Sequence, residues 1–172
     1  MGSAKKPKSV KLISGLIFKE EAVFNRTREI LEKRFGRIDF QSQGLSFTHT
    51  RFYEKEFGSD LERRFISFEK LIPPDILPRI KILTNKIEKR LSENSRRRIN
   101  IDPGYLTEAK LVLATTKDYK HRIYLSQGIY AEVTLFFQGK TYAPWEWTYP
   151  DYKTDAYIAI FNQIREIYAQ QI

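Results

Sequence analysis

The chain has 172 residues, 41% hydrophobic and 30% charged, which is typical of one soluble globular domain with a sizeable core. No apolar run approaches the roughly 18 residues that span a bilayer, and the absence of cysteine excludes disulfides, thiolate nucleophiles and cysteine-ligated zinc. The lysine-containing N-terminus lacks the apolar segment of a secretory signal, so we predict a cytoplasmic protein without a membrane partner.

The net charge of +9 is concentrated in two segments. Residues 1–11 contain four lysines and no acid, and residues 79–98 contain eight cationic residues against two acidic ones. The rest of the chain is therefore nearly neutral. A localised excess of this kind is typical of a surface that binds a polyanion, and the alternative is a solvated helix face beside a flexible basic arm.

The hydrophobic pattern predicts a disordered basic arm at residues 1–8 and a single α+β domain over residues 9–172. In chain order we expect a strand at 10–18, a helix at 19–36, a strand at 37–47, a loop at 48–62, a strand at 63–72, a helix at 73–94 and a strand at 96–101. This order predicts a ferredoxin-like βαββαβ sandwich. Further strands with a β-hairpin at 121–137, an aromatic loop at 145–154 and a final helix extend it.

The segment RRRINIDPGYL (residues 96–106) is one candidate site. Asp102 begins a predicted Asp-Pro-Gly turn of type II, with Gly104 at the position of positive φ. Its carboxylate would either accept local backbone hydrogen bonds or, at a strand end, hold a metal ion or orient a hydroxyl. Arg96 and Arg98 alternate with Arg97 along the strand, so the three would form one phosphate clamp only if the strand end frayed.

The segment TTKDYKHR (residues 115–122) is a second candidate. Lys117 would bind a phosphate there, and His121 would transfer protons near neutral pH; the alternative is a solvated turn capped by Asp118. Arg122 is predicted to lie opposite Glu132 across the following hairpin, where a cross-strand ion pair is favoured over a catalytic role.

Aromatic residues are dense in TYAPWEWTYPDY (residues 141–152). Beside a basic face they would stack on nucleic-acid bases. We favour the alternative, in which they form a lid that closes the core over the hairpin.

Four segments together, RRRINIDPGYL, KLVLATTKDYKHRIYL, GIYAEVTL and WTYPDY, resemble the prokaryotic domain-of-unknown-function family numbered 4416, from about Lys8 to Tyr168. The resemblance implies no established activity, although members are often labelled GTP-binding proteins. The nearest match to a P-loop, TLFFQGKT, has Thr134 in place of the first glycine. It also lies in a predicted hairpin instead of before a helix, so the sequence predicts no P-loop for GTP.

Three hypotheses for the function follow, and the first is favoured. In the first, the protein is a binding module for a polyanion, either RNA or a nucleotide. It would use the basic arm, the solvent face of the helix at 76–93 and the three arginines Arg96, Arg97 and Arg98, and its binding would weaken steeply with salt.

In the second hypothesis, the protein is a metal-assisted enzyme acting on a phosphorylated small molecule or nucleotide. Asp102, His121 and Glu132 would be catalytic, and Asp102 and Glu132 would hold a metal such as Mg²⁺. Lys117 and Arg122 would clamp the anion. In the third hypothesis, the protein is an interaction or scaffold protein without a site, and these side chains are scattered. The cofactor and the oligomeric state stay open.

Overall fold

A computed structural model describes residues 1–50 and 52–172; Arg51, within the predicted loop 48–62, lies outside the described residues. The strands are β1 (Lys11–Phe18), β2 (Ile38–Gln41), β3 (Leu45–Ser46), β4 (Glu62–Phe68), β5 (Ile99–Leu106), β6 (Lys110–Thr115), β7 (Ile123–Ser126), β8 (Ile129–Gln138) and β9 (Thr141–Pro144). The helices are α1 (Glu21–Phe35), α2 (Glu54–Phe57), α3 (Leu77–Arg90) and α4 (Asp155–Ala169). The predicted α+β class is confirmed.

The nine strands form one antiparallel sheet in the order β2-β4-β1-β5-β6-β8-β7, with β3 beside β4 and β9 beside β8. The predicted succession of strand, helix, strand, strand, helix and strand is present, with β3 and α2 added between β2 and β4. The C-terminal strands continue the same sheet. The ferredoxin-like description stays a prediction.

Both faces of the central strand β1 are covered, so all eight of its residues are buried, including the polar Lys11 and Ser14. Leu12 and Leu16 pack in one core with residues of α1 and α3. Ile13 packs on the opposite face with Phe65 of β4 and Phe161 of α4. Within the described residues, no helix is long and apolar enough to cross a membrane.

The predicted Asp-Pro-Gly turn is wrong, because β5 runs straight through it. Gly104 pairs with Leu113 of β6, and it is not among the glycines with positive φ. A Cβ on Gly104 would lie 2.3 Å from the carbonyl oxygen of Val112, so this glycine permits a close approach of two strands. Pro103 fits the same strand because its missing N–H falls on the side where β5 has no strand partner.

The sheet splits beside this point. β5 and β6 pair only from Gly104 to Leu106, and α3 takes the place of β6 along the rest of β5. Lys81 donates a 3.1 Å hydrogen bond to the carbonyl of Ile101, and Glu88 accepts a 2.7 Å bond from its N–H. We call this opening the β5–β6 gap. Lys81, one of the eight cationic residues counted at 79–98, is buried and does not lie on the solvent face of the helix, because α3 contacts the sheet with a polar face as well as an apolar one.

The aromatic loop before α4 packs onto the sheet. Trp145 stacks on Trp147 with ring centres 5.0 Å apart, and Phe136 of β8 contacts Trp145. Tyr152 is buried beside Phe65 in the core under α4. The loop therefore covers part of the core, as the lid interpretation predicts.

Candidate functional site

A pocket of about 590 Å³ opens at the β5–β6 gap. Asp102 and Thr115 line opposite sides of it, each two residues beyond the last paired residues, Gly104 and Leu113. Side chains two residues apart on a strand share a face, so both project to the same side of the sheet. Helix α3 closes the back of the pocket, and its rim is formed by residues 149–152 and by Phe47, His49, Thr50, Phe52 and Tyr53.

Arg63 of β4 lies at the floor of this pocket and is only 3% exposed. Its Nη2 donates a 3.4 Å hydrogen bond to Asp151, and its Nη1 lies 3.6 Å from Asp102. Its Nε and Nη1 find no hydrogen-bond acceptor among the described residues. Burial lowers the pKa of Arg63, but nearby Tyr152 and the two carboxylates more than offset this, so the pKa ends above its ordinary value.

Gly15 of β1 makes room for this guanidinium. A Cβ at Gly15 would lie 2.7 Å from Arg63 Nη1 and 3.0 Å from the ring of Phe65. Gly15 is also the strand partner of Asp102, which explains how a buried arginine and a carboxylate meet in the middle of the sheet.

Asp102 presents one carboxylate oxygen without a hydrogen bond. Its Oδ2 accepts a 2.7 Å bond from Asn100, while its Oδ1 lies 3.6 Å from Lys81 Nζ, beyond hydrogen-bonding distance. No described residue donates a hydrogen bond to Oδ1. Burial raises the pKa of Tyr53 at the pocket rim, and the negative charge of Asp102 raises it further.

The three arginines at 96–98 do not form one clamp. Arg97 lines the pocket but is held by two carboxylates, with Nη2 2.5 Å from Glu56 and Nη1 3.2 Å from Glu88. Arg98 pairs with Glu20, and Arg96 is exposed outside this pocket. The predicted strand at 96–101 begins only at Ile99, so the three arginines lie before β5 and not in alternation along it. They line a second concavity together, where carboxylates hold Arg97 and Arg98.

Part of the predicted basic excess is not available at the surface. Lys11, counted with the basic arm, is fully buried in β1 and pairs with Asp39 of β2. Lys81 is buried at the gap, whereas Lys86 and Lys89 on the other side of α3 are exposed. Some cations of the two basic segments are therefore buried within the fold, and only the others remain at the surface.

The 115–122 segment contributes four residues to the pocket, Thr115, Thr116, Lys117 and Arg122. Lys117 is exposed, with its Nζ 4.9 Å from the centre of the Phe52 ring. Arg122 donates to Glu132 at 2.9 Å and to the Tyr149 hydroxyl at 3.1 Å, so the predicted cross-strand pair is present. Burial lowers the pKa of Arg122, and these two partners raise it above its ordinary value.

His121 is not a lining residue of this pocket. Its Nε2 lies 3.1 Å from Glu132 Oε2, and its ring stacks on Trp147. The other Glu132 oxygen lies 3.3 Å from the Thr134 hydroxyl. Of the predicted site residues outside the arginine run, Asp102, Lys117, Arg122 and Glu132 thus line one pocket, and His121 lies behind Glu132.

The pocket carboxylates are a poor match for a divalent cation. Among the described residues, no group of three or more histidines and carboxylates is arranged to hold a metal ion. Arg63 and Lys81 flank Asp102, and Arg122 contacts Glu132, so an added cation would meet fixed positive charge at either carboxylate. Mg²⁺ at these two residues stays a prediction.

Two charged residues of the pocket, Arg63 and Asp151, are not among the site residues predicted from the sequence. The signal for Arg63 was present, because the predicted strand at 63–72 places it on the same face as Phe65 and Ser67. An arginine on the inward face of a strand indicates a buried charge that needs carboxylate partners. Asp151 had no comparable signal, since it lies in a short 3₁₀ segment, Pro150–Lys153.

Comparison with known proteins identifies one relationship. The model of the family described as domain of unknown function (DUF4416) matches residues 8–168, a range that includes every residue lining the pocket. The comparison with curated proteins gave no match, and the comparison with solved structures gave none. Since the match extends over nearly all of the chain, the protein belongs to the DUF4416 family.

Proposed function

We propose that this protein binds a small phosphorylated ligand of nucleotide size in the pocket at the β5–β6 gap. The observation that carries the proposal is the convergence of cationic and aromatic side chains from separate elements on one concave surface. The cationic residues lining it are Arg63, Lys81, Arg97, Lys117 and Arg122. A volume of about 590 Å³ lies within the usual range for sites that enclose a small organic molecule.

Lys117 is the cation best placed to contact a ligand. No ion pair joins it to a carboxylate within the described residues, whereas Arg63, Lys81, Arg97 and Arg122 each have a carboxylate within 4 Å. The exposed rings of Phe52 and Tyr149 lie at the same rim. An ammonium group beside exposed aromatic rings suits a ligand with a phosphate and a planar ring.

The same geometry favours a pocket over an extended polyanion surface. A long polyanion needs several unpaired cations on an open face, and Arg97 and Arg98 are both held in ion pairs. RNA binding by the exposed residues of α3, such as Lys86 and Lys89, remains the alternative that the experiment must distinguish.

Binding is favoured over the predicted enzyme mechanism, because His121, to which that mechanism assigns proton transfer, does not line the pocket. Asp102 and Glu132 do line it, but each lies beside fixed cations. A scaffold without a site predicts scattered side chains, and the clustering of Asp102, Lys117, Arg122 and Glu132 supports a ligand site instead.

The test is a thermal-shift screen of nucleoside monophosphates, sugar phosphates and short RNA, followed by calorimetric titration of each hit. A ligand present at 100 times its Kd stabilises the fold by about 2.7 kcal/mol. Lys117→Ala should weaken binding about 10-fold or more, because it removes a charge-assisted contact. Lys86→Ala is the matched control, because it removes the same charge from the solvent face of α3, and it should change Kd less than about 2-fold.

Two outcomes would contradict the proposal. Steeply salt-dependent binding of RNA that Lys86→Ala weakens and Lys117→Ala does not would assign binding to the face of α3. The absence of a shift with any small phosphorylated compound would leave the pocket without its proposed ligand.

A further inference from the structure

We infer that Asp102 recognises the sugar hydroxyls of the ligand, so that the pocket selects a phosphorylated sugar with free ring hydroxyls, as in a ribonucleotide or a pentose phosphate. This inference rests on the proposed function and assigns an orientation to the ligand. The phosphate lies toward Lys117 at the rim, and the sugar lies toward Asp102 at the floor.

The carboxylate of Asp102 is held in a defined orientation. Arg97 Nη1 donates a 3.2 Å hydrogen bond to Asn100 Oδ1, which requires the Asn100 amide nitrogen to be the atom that points to Asp102. That nitrogen donates to Asp102 Oδ2 at 2.7 Å. Asp102 Oδ1 keeps its full capacity to accept hydrogen bonds in the pocket, where the side chain is 27% exposed.

The charges at the floor of the pocket favour a hydrogen-bond donor of the ligand over an anionic group such as a phosphate. Arg63 and Lys81 each approach Asp102 to 3.6 Å, and Asp151 lies on the other side of Arg63. These charges nearly compensate one another, so the floor offers no net positive charge to a phosphate. The open Asp102 oxygen is instead an acceptor for a hydroxyl group, because an ionised carboxylate accepts hydrogen bonds and cannot donate them.

The two ends of the ligand would contact side chains of one pocket. Asp102 lies across the gap from Thr115, where β6 ends, and Lys117 follows two positions further along the chain and lines the same pocket. A volume of about 590 Å³ accommodates a small organic molecule that reaches both side chains. A phosphate at Lys117 would leave the sugar to extend toward Asp102.

The experiment is calorimetric titration of the full chain with three probes: a ribonucleoside 5′-monophosphate, its 2′-deoxy counterpart and ribose 5-phosphate. The parent protein should bind the ribonucleotide about 10-fold or more tightly than the deoxynucleotide, because loss of one hydroxyl leaves the carboxylate unpaired. Tight binding of ribose 5-phosphate would identify a free sugar phosphate as sufficient, and weak binding would show that the base also contributes.

Asp102→Asn should reduce the ratio between ribonucleotide and deoxynucleotide affinity to about 2-fold or less, and Asp102→Glu is the second variant in case the first fails to fold. Asp118→Asn is the control, because it removes a carboxylate in the same segment as Lys117 but outside the pocket lining. Lys117→Ala should weaken the binding of both nucleotides equally and leave the ratio of their affinities unchanged.

Equal affinity of the parent protein for the two nucleotides would overturn the inference and leave the proposed function standing. A ratio that persists in Asp102→Asn would overturn it as well. Failure of every phosphorylated probe to bind would overturn the inference together with the proposed function.

Discussion

Substitution of Gly104 tests whether the close approach of β5 and β6 beside the gap requires a glycine. A Cβ at this position would lie 2.3 Å from the Val112 carbonyl oxygen and 2.7 Å from Leu113 Cδ2, where ordinary contacts begin at 3.4 Å. Gly104→Ala must therefore displace the backbone of β6 by about 1 Å at one of the three paired positions. Overpacking usually costs about 1–3 kcal/mol, and we expect the upper end, about 3 kcal/mol, because backbone must move.

For a chain of this size, about 3 kcal/mol lowers Tm by about 6–12 °C. Urea unfolding followed by circular dichroism and tryptophan fluorescence measures the free energy, and calorimetry measures Tm. The control is Gly44→Ala, whose Cβ would lie even closer, 2.1 Å, to Glu62 Oε1.

Gly44→Ala should nevertheless cost less than about 1 kcal/mol, because the contacted atom ends a flexible side chain that can rotate away. Both variants remove a glycine, so the effect on the unfolded chain is matched. If Gly44→Ala destabilised the fold as much as Gly104→Ala, or if Gly104→Ala were neutral, the close approach of β5 and β6 would not be what requires glycine.

Two further predictions concern buried and exposed ion pairs. Lys11→Met should destabilise the protein by about 3–5 kcal/mol, because it leaves Asp39 without its cation. The double variant Lys11→Met with Asp39→Leu should recover most of this in urea unfolding, whereas simple additivity would contradict the pairing. The hydrogen bond from Arg97 lowers the pKa of Glu56 below 4.5, so the ionised carboxylate stabilises the fold above that pH and loses the contribution as the pH falls. Glu56→Gln should thus be less stable than the parent at about pH 7, by under about 1 kcal/mol, with a difference that shrinks in acid; a pH-independent difference would argue against this pair.

The local patterns that predicted elements correctly are those with strong periodicity or strong stop signals. Ile80 and Ile87 of α3 lie in the core as their helical spacing predicts. Gly36 ends α1 with a φ of 97°, as expected for a glycine after a helix. The P-loop-like segment TLFFQGKT, residues 134–141, lies in the β8–β9 hairpin, where Gly139 has a φ of 63°.

The predicted turn at Asp102 is wrong because of contacts made in the tertiary structure. Asp-Pro-Gly has high turn propensity when considered alone, but β1 pairs with all eight residues of β5, from Ile99 to Leu106. The hydrogen bonds and the burial of that pairing outweigh a local preference of this kind. The segment therefore places Asp102 within a strand, at the floor of a pocket, and not at the tip of a loop.

Composition and periodicity by themselves determined the α+β class, the main helices and the residue types available for binding an anion. These follow from local physical chemistry, because side-chain alternation and helix caps depend on near neighbours in the chain. Only the tertiary structure decided which charges meet. Arg63 joins Asp151 across 88 positions of sequence, and Lys11 joins Asp39 across 28. Such pairs form because strand order and the split between β5 and β6 bring distant segments together, and that order depends on the packing of the whole sheet.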